Sequence, residues 1–321
     1  MNYIERIMNS EEVASRPPVL LDIGASEGIH PSWRPIAKYC ICIAFDPDAR
    51  EFSDAKLRHY FRQLHSFDCV VSADSKKQAE FFLTHSPYCS SLLQPDTDKL
   101  KDWAFAPLFD VEKTIKVRAK TLDQVLKEVG IDQIDWFKVD SQGMDLRLFK
   151  SLGKDRYQRV ITAEFEPGII DAYEGEDKLY QVFQFMENAG FWLSDINIKG
   201  SQRISSSVLE SLFPNRSLRK LAMFSHKTSP GWAELLYLNS FVNKNIYSKR
   251  EYLLGWLFAT LQGQHGFAYE LAQAGQTKLG DALFDELFQH SERLIKKHII
   301  SSNILPYIGR KAGQIIQRII G

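Results

Sequence analysis

The apolar pattern predicts an α/β protein, a mostly parallel sheet with helices on its faces, followed by a helical C-terminal appendage. Three observations carry that expectation. Residues 19–23 (Val-Leu-Leu-Asp-Ile) and 40–45 (Cys-Ile-Cys-Ile-Ala-Phe) are short, nearly continuous apolar runs, which is how strands buried on both faces read. Strand-like and helix-like stretches then alternate to about residue 241, an order that a parallel sheet satisfies most economically. Beyond Tyr247 the strand pattern stops. There Tyr252, Leu253, Trp256 and Leu257, then Leu279, Leu283, Phe284, Leu287 and Phe288, recur at helical spacing.

Each element has a local reason. Residues 31–39 separate the first two strands and open with Pro31, which suits the first turn of a crossover helix. Pro47 and Asp48 begin a second helical stretch to about Phe61, and residues 67–73 read as a third strand. Residues 79–121 break the rhythm: strand-like 79–84 and 115–119 flank a stretch with Ser86, Pro87, Ser90, Ser91 and Pro95. We expect an insertion over one rim of the sheet. A helix over 122–129 leads through Gly130 into the strand 135–140; a helix over 144–152 and the strand 159–165 follow. Leu179, Val182, Phe183 and Met186 mark an amphipathic helix within 177–189, stopped by Gly190. The strands 191–196 and 233–241 complete the sheet, with a loop and a short helix between them. The domain expectation is thus a lead-in over 1–17, an α/β domain over 18–246 and a helical appendage over 247–321.

Composition removes several function classes. Forty Lys+Arg balance forty Asp+Glu, without the basic excess of a dedicated nucleic-acid binder. Hydrophobic residues at 44% and aromatics at 12% support a packed core and exclude global disorder. No apolar run approaches the ~20 residues of a membrane-spanning helix. Residues 1–15 mix Glu5, Arg6, Glu11 and Glu12 with apolar side chains and lack the core of a secretory leader. Cys40, Cys42, Cys69 and Cys89 have no CxxC spacing, and the eight histidines make no metal-binding pair at helical spacing. The expectation is a cytoplasmic, metal-free protein with reduced thiols. Neither a Gly-Lys-Ser/Thr phosphate loop nor a Gly-x-Ser-x-Gly elbow occurs.

The chemistry concentrates after the first strand, at Asp22-Ile-Gly24-Ala25-Ser26-Glu27-Gly28. A glycine turn there brings the backbone close to a ligand, and the N–H groups that follow suit a carboxylate or phosphate. Asp46, eighteen residues after Gly28 at the end of the second strand, can accept both hydroxyls of a ribose. Ser26 replaces the middle glycine of a GxGxxG, which counts against a pyrophosphate. Asp140 falls at the carboxyl end of a central strand, the edge where such sheets place ligands, as a general base or acceptor-orienting group. Lys138, two residues earlier, shares its face and either keeps Asp140 ionised or, with a lowered pKa, serves as the base. Gln142 can orient a hydroxyl, and Asp145 starts the next helix. Glu164 and Glu166 share one side of their strand, as binders of sugar hydroxyls or as a solvated edge pair. His30 follows the glycine loop, and His85, with Tyr88, Ser90 and Ser91, is a candidate for an acceptor-binding lid.

Further stretches complete a pattern: Phe45-Asp46-Pro47, Lys120-Thr-Leu-Asp123, Phe137-Lys-Val-Asp140-Ser-Gln-Gly143-Met-Asp145 and Ala163-Glu-Phe-Glu166-Pro167. With residues 22–28 they resemble the FkbM family of S-adenosylmethionine-dependent methyltransferases over roughly residues 18–241. Gln142 stands where many members carry Glu, and Met144 where a small residue is usual. The resemblance implies a Rossmann-like class I methyltransferase sheet, mostly parallel with an antiparallel last strand. It implies S-adenosyl-L-methionine as cofactor and O-methylation of a hydroxyl on a sugar, glycan or specialised metabolite. By the same resemblance Gly24, Ala25 and Gly28 pass beside the methionine end, Asp22 binds its amino group through the loop, and Asp46 holds the ribose. Asp74 would meet the adenine amino group, or else cap the turn before Ser75. Two other classes stay open: a non-catalytic methyltransferase-fold module for assembly, and an NAD-dependent oxidoreductase.

Residues 291–321 carry Arg293, Lys296, Lys297, Arg310, Lys311 and Arg318 against Glu292 alone. Ile308, Ala312, Ile315, Ile316 and Ile319 form an apolar stripe. Such a stretch suits an anionic membrane surface, or docking on the protein's own core or on a second copy in a homodimer.

Overall fold

The computed structural model describes residues 3–25, 28–48 and 57–302. They divide into two units, one within Arg16–Ile246 and one built from the segments Met1–Ser15 and Tyr247–Gly321. The second unit is helical: Tyr3–Met8 and Glu11–Ala14 pack with Lys249–Leu261, His265–Leu279 and Ala282–Ser302. Ile7, Met8 and Val13 are buried. Arg6 pairs with Glu286, and Lys249 bridges Glu12 at 2.7 Å and Asp281 at 2.6 Å. The first fifteen residues are therefore part of the helical unit rather than a lead-in to the α/β domain. Helices of six and four residues are too short to stand alone, and their three apolar anchors left no legible period. The stripe predicted over residues 308–319 lies outside the described residues.

The α/β unit holds a seven-stranded sheet in the order β3-β2-β1-β7-β8-β10-β9. Its strands are β1 (Val19–Ile23), β2 (Ile41–Phe45), β3 (Gln63–Phe67), β7 (Trp136–Val139), β8 (Thr162–Phe165), β9 (Phe191–Ser201) and β10 (Ser229–Asn239). All pairs from β3 through β8 are parallel, while β10 is antiparallel to both β8 and β9. This is the expected mostly parallel sheet with an antiparallel last strand. β1 and β7 lie at its centre, which explains their continuous apolar sequences. The helices Leu122–Val129, Asp145–Ser151 and Leu179–Asn188 cover one face, over a core that includes Phe137, Val139, Phe149, Phe165 and Met186. The first of these starts in a capping box between Thr121 and Gln124 and ends at Gly130 in the left-handed conformation.

Three expectations are corrected. Residues 31–39 form two 3₁₀ turns, Pro31–Trp33 and Ala37–Tyr39, not a helix. Pro35 removes a backbone donor in the middle of the stretch, so no regular helix runs through it. The third strand is Gln63–Phe67, earlier than the apolar run that suggested it. As an edge strand it tolerates polar residues such as Gln63, His65 and Ser66. The run Cys69-Val70-Val71 instead supplies β4 (Val70–Val71) to a second sheet, in the order β4-β6-β5, with β5 (Gln78–Thr84) and β6 (Val111–Lys120). This sheet is the expected insertion. Most of the helical stretch predicted from Pro47 lies outside the described residues. Between β9 and β10 two helices stand in place of one, Ser206–Leu212 and Arg216–Ser225.

Candidate active site

The carboxyl ends of β1, β2 and β7 meet in an open cleft of about 700 Å³. Its sheet side is lined by Ile23, Gly24, Phe45, Asp46, Pro47, Asp48, Asp140, Ser141 and Gln142. Cys69, Val70, Val71, Phe81, Pro87, Tyr88, Ser90 and Leu92, from β4, β5 and the loop after it, close the other side.

Gly24 explains the glycine at the end of β1. Its φ is +84°, and a Cβ there would stand 2.4 Å from the Asp140 carbonyl oxygen. Only glycine lets β1 and β7 approach so closely while the turn bends away. The Gly24 N–H donates to the Phe45 carbonyl at 3.0 Å, and the Asp140 N–H to Ile23 at 2.9 Å, so the three strand ends are tied together. Asp46 is buried, and its Oδ1 accepts the Asp48 N–H at 2.8 Å. Burial, with the charges of Asp48 and Asp140, pushes its carboxyl up to about 6.

Gln142 follows β7 on the same sheet side of the cleft. Its φ of +54° is the left-handed region that side chains avoid. Three contacts keep it there: Ser91 Oγ donates to its carbonyl at 2.7 Å, Tyr173 Oη donates to Oε1 at 2.8 Å, and Nε2 donates to Asp140 Oδ1 at 2.5 Å. Behind them Asp145 accepts from Ser141 N–H and Oγ at 3.0 and 2.6 Å and from the Glu166 N–H at 2.7 Å. It begins its helix as expected, and it also stitches the ends of β7 and β8. Burial raises its carboxyl to about 6.

Residues 22–193, more than half of the chain, match the model of the methyltransferase FkbM domain. The chain belongs to the FkbM methyltransferase family. No curated protein and no solved structure compared with it matches. The match begins at Asp22, on β1, and spans the whole cleft. The Rossmann-like methyltransferase fold expected from the resemblance is the fold observed.

Several site expectations for this FkbM methyltransferase are corrected by the geometry. Lys138 Nζ donates to Asp22 Oδ1 at 2.9 Å, with Asp22 buried and Lys138 largely so. Burial alone would lower the ammonium, but the Asp22 charge and hydrogen bond, with Asp140 and Glu164, outweigh it and raise Lys138 above the ordinary lysine value. A lysine so held keeps its proton and is no base. Asp22, engaged by Lys138, does not line the cleft. Asp74 is exposed, accepts from Ser72 Oγ at 2.8 Å and pairs with Lys76 at 3.2 Å. Of the two readings it is the turn residue, and it does not line the cleft. His85 is largely exposed on Glu112 at 2.9 Å and outside the cleft, whereas its neighbours Tyr88 and Ser90 line it. Glu164 is neither a solvated edge group nor a cleft residue. It accepts the Trp136 Nε1–H at 2.6 Å and lies 3.4 Å from His30 Nε2, and burial lifts it to about 7. Glu166 is likewise half-buried rather than solvated; burial and then the charges of Asp140 and Asp145 push it up to about 9. Ala25 and Gly28 do not line the cleft, and residues 26 and 27 between them lie outside the described residues.

Tyr173 was not foreseen, because no motif marks the loop between β8 and the helix Leu179–Asn188. Phe81, Pro87 and Leu92 were hidden for another reason: an insertion reads as a lid only once its register places it over the cleft. Among the described residues no group of three or more His, Cys, Asp or Glu is disposed to hold a metal, and no helix is long and apolar enough to cross a membrane.

Proposed function

We propose that this FkbM methyltransferase moves the methyl group of S-adenosylmethionine to a hydroxyl oxygen of a small molecule or glycan. The observation that carries the reading is Asp46, a buried carboxyl at the end of β2 facing the cleft beside the backbone of Gly24. A carboxylate so placed suits paired ribose hydroxyls, and the Gly24 turn, packed on the Asp140 carbonyl, brings its backbone into the lining of the cleft. When bound, the sulfonium supplies an electrophilic methyl group. Asp46 holds the ribose. Asp140, its Oδ1 engaged by Gln142, aligns the acceptor hydroxyl and takes its proton as the oxygen attacks. Gln142, pinned by Ser91 and Tyr173, keeps that carboxylate in one orientation. Tyr88, from the turn after β5, borders the acceptor side. Four buried free cysteines suit a reducing, cytoplasmic setting.

Calorimetric titration with S-adenosylmethionine, S-adenosylhomocysteine and NAD tests the cofactor. The first two should bind and NAD should not. Binding of NAD alone would move the protein to the oxidoreductases, and no binding of any would favour an assembly module. A screen of hydroxylated acceptors, with S-adenosylhomocysteine release as the readout, then tests the transfer.

A further inference from the structure

The two helices between β9 and β10 present a surface that the transfer reaction does not use. Leu212 is 61% exposed on the first helix, and Leu218, Leu221 and Phe224 are 53%, 62% and 91% exposed on the second. The last three recur at three-residue spacing, so they form one apolar side. Arg216 and Lys220 are exposed on the same helix and Lys227 just beyond it; Glu210 is the only acid between Ser205 and Thr228. Between the helices runs a groove of about 1010 Å³, lined by Ile204, Leu209, Phe213, Ala222 and Met223.

Topology gives this surface its place. β10 is antiparallel to β8, so Ser229 lies at the carboxyl edge of the sheet; β9 is antiparallel to β10, so Ser201 ends there too. The helices therefore stand on the edge that holds the cleft. They are anchored to the insertion: the Ala104 N–H donates to the Gln202 carbonyl at 3.0 Å, and Arg203 pairs with Asp102 at 2.9 Å.

We propose that the segment 205–228 docks on an anionic lipid surface, with Leu218, Leu221 and Phe224 entering the acyl boundary and Arg216, Lys220 and Lys227 meeting the headgroups. Charge selects this occupant. Leucine and phenylalanine ringed by unopposed basic residues is the composition of an interfacial helix, whereas a second copy would bring the same positive charge against itself. Each basic residue near an anionic surface adds about fivefold to partitioning, and salt removes that part.

The test is co-sedimentation of the full chain with phosphatidylcholine vesicles, with and without phosphatidylglycerol. The protein should pellet with the anionic vesicles, and less so at high salt. Leu221→Ser/Phe224→Ser should weaken binding at least tenfold and Lys220→Glu about fivefold or more, with unchanged thermal unfolding because these side chains are exposed. Undiminished binding by both variants would place the lipid contact elsewhere, residues 291–321 included, and overturn the proposal. So would a parent protein that ignores vesicles, or one whose self-association the double variant abolishes. Cofactor titration is independent of these outcomes, so loss of one reading leaves the other standing.

Discussion

Replacing Lys138 with Met separates a structural lysine from a catalytic one. The ammonium sits 2.9 Å from Asp22 Oδ1, with side-chain exposures of 16% and 4%. At that distance and an effective dielectric of about 20, the attraction is roughly 6 kcal/mol, most of it offset by desolvating both ions. The variant loses the attraction and retains the cost, because Asp22 stays buried without its cation. Breaking a buried pair in this way costs about 3–5 kcal/mol, or a fall of roughly 6–20 °C in Tm for a unit of this size. Urea and thermal unfolding measure it directly. Removing both ions, in Asp22→Leu/Lys138→Met, should recover much of the loss, since the uncompensated charge goes too. The sign with pH is also set: Glu164 loses the neighbouring cation that lowers its carboxyl, so its folded-state pKa rises further. The variant's stability should then fall more steeply than the parent's as pH increases from 4 to 8. A Lys138→Met protein within ~1 kcal/mol of the parent would refute this account. If it were also inactive, Lys138 would return as a candidate base.

The other expectations concern the cleft and its acids. Asp46→Ala should weaken S-adenosylmethionine binding by about 2–3 kcal/mol, the cost of losing charge-assisted hydrogen bonds. In the parent, affinity should rise as pH climbs through about 6, where Asp46 ionises; a pH titration in which Asp46→Asn keeps the same rise would refute the assignment. Asp140→Asn should leave cofactor affinity unchanged and depress turnover, and equal kcat would remove Asp140 from the reaction. Gly24→Ala should cost about 2–5 kcal/mol, from strain at positive φ and the clash with the Asp140 carbonyl, read as a lower urea midpoint. Glu166, raised to about 9, holds a proton that the unfolded chain releases near pH 4. Its contribution is present below pH 4 and lost as pH rises through about 9, so Glu166→Gln should flatten the decline of stability across that window.

Legibility followed burial. β1, β2 and β7 are enclosed by neighbours on both sides, so their apolar runs marked them nearly to the residue; β3, exposed along one edge, was displaced because Gln63, His65 and Ser66 satisfy its pairing without an apolar signature. Asp46, Asp140 and Gln142 were placed at the cleft because each ends or follows such a run, and strand ends are where side chains face the crevice. Asp22 and Lys138 were assigned to chemistry for the same reason, yet they meet each other. Spacing along one strand puts Lys138 on the face of Asp140, but only the pairing of β1 with β7, Asp22 opposite Lys138, says which acid takes the charge. Asp74 and His85 followed apparent strands into exposed turns, where local hydrogen bonds use them up. Tyr173 acts across 31 residues of chain on Gln142, a contact that no local pattern encodes.

The same register explains why binding and neutralisation separate along these strands. Asp22, Lys138 and Glu164 lie opposite one another on β1, β7 and β8, one cation between two acids, with Trp136 and His30 attending Glu164. Two residues further along each strand stand Gly24, Asp140 and Glu166, a row with no cation. Gly24 contributes no side chain, and the Asp140 carbonyl fills the place where one would stand. Beside it, burial and then the charge of Asp140 push the Glu166 carboxyl up, and Asp140 is the one of the two that lines the cleft. Lys138 gives its hydrogen bond to Asp22, with the charges of Asp140 and Glu164 acting on it as well. The hydrogen bond of the lysine thus goes to the acid one step deeper, and the amide of Gln142 goes to the acid that lines the cleft.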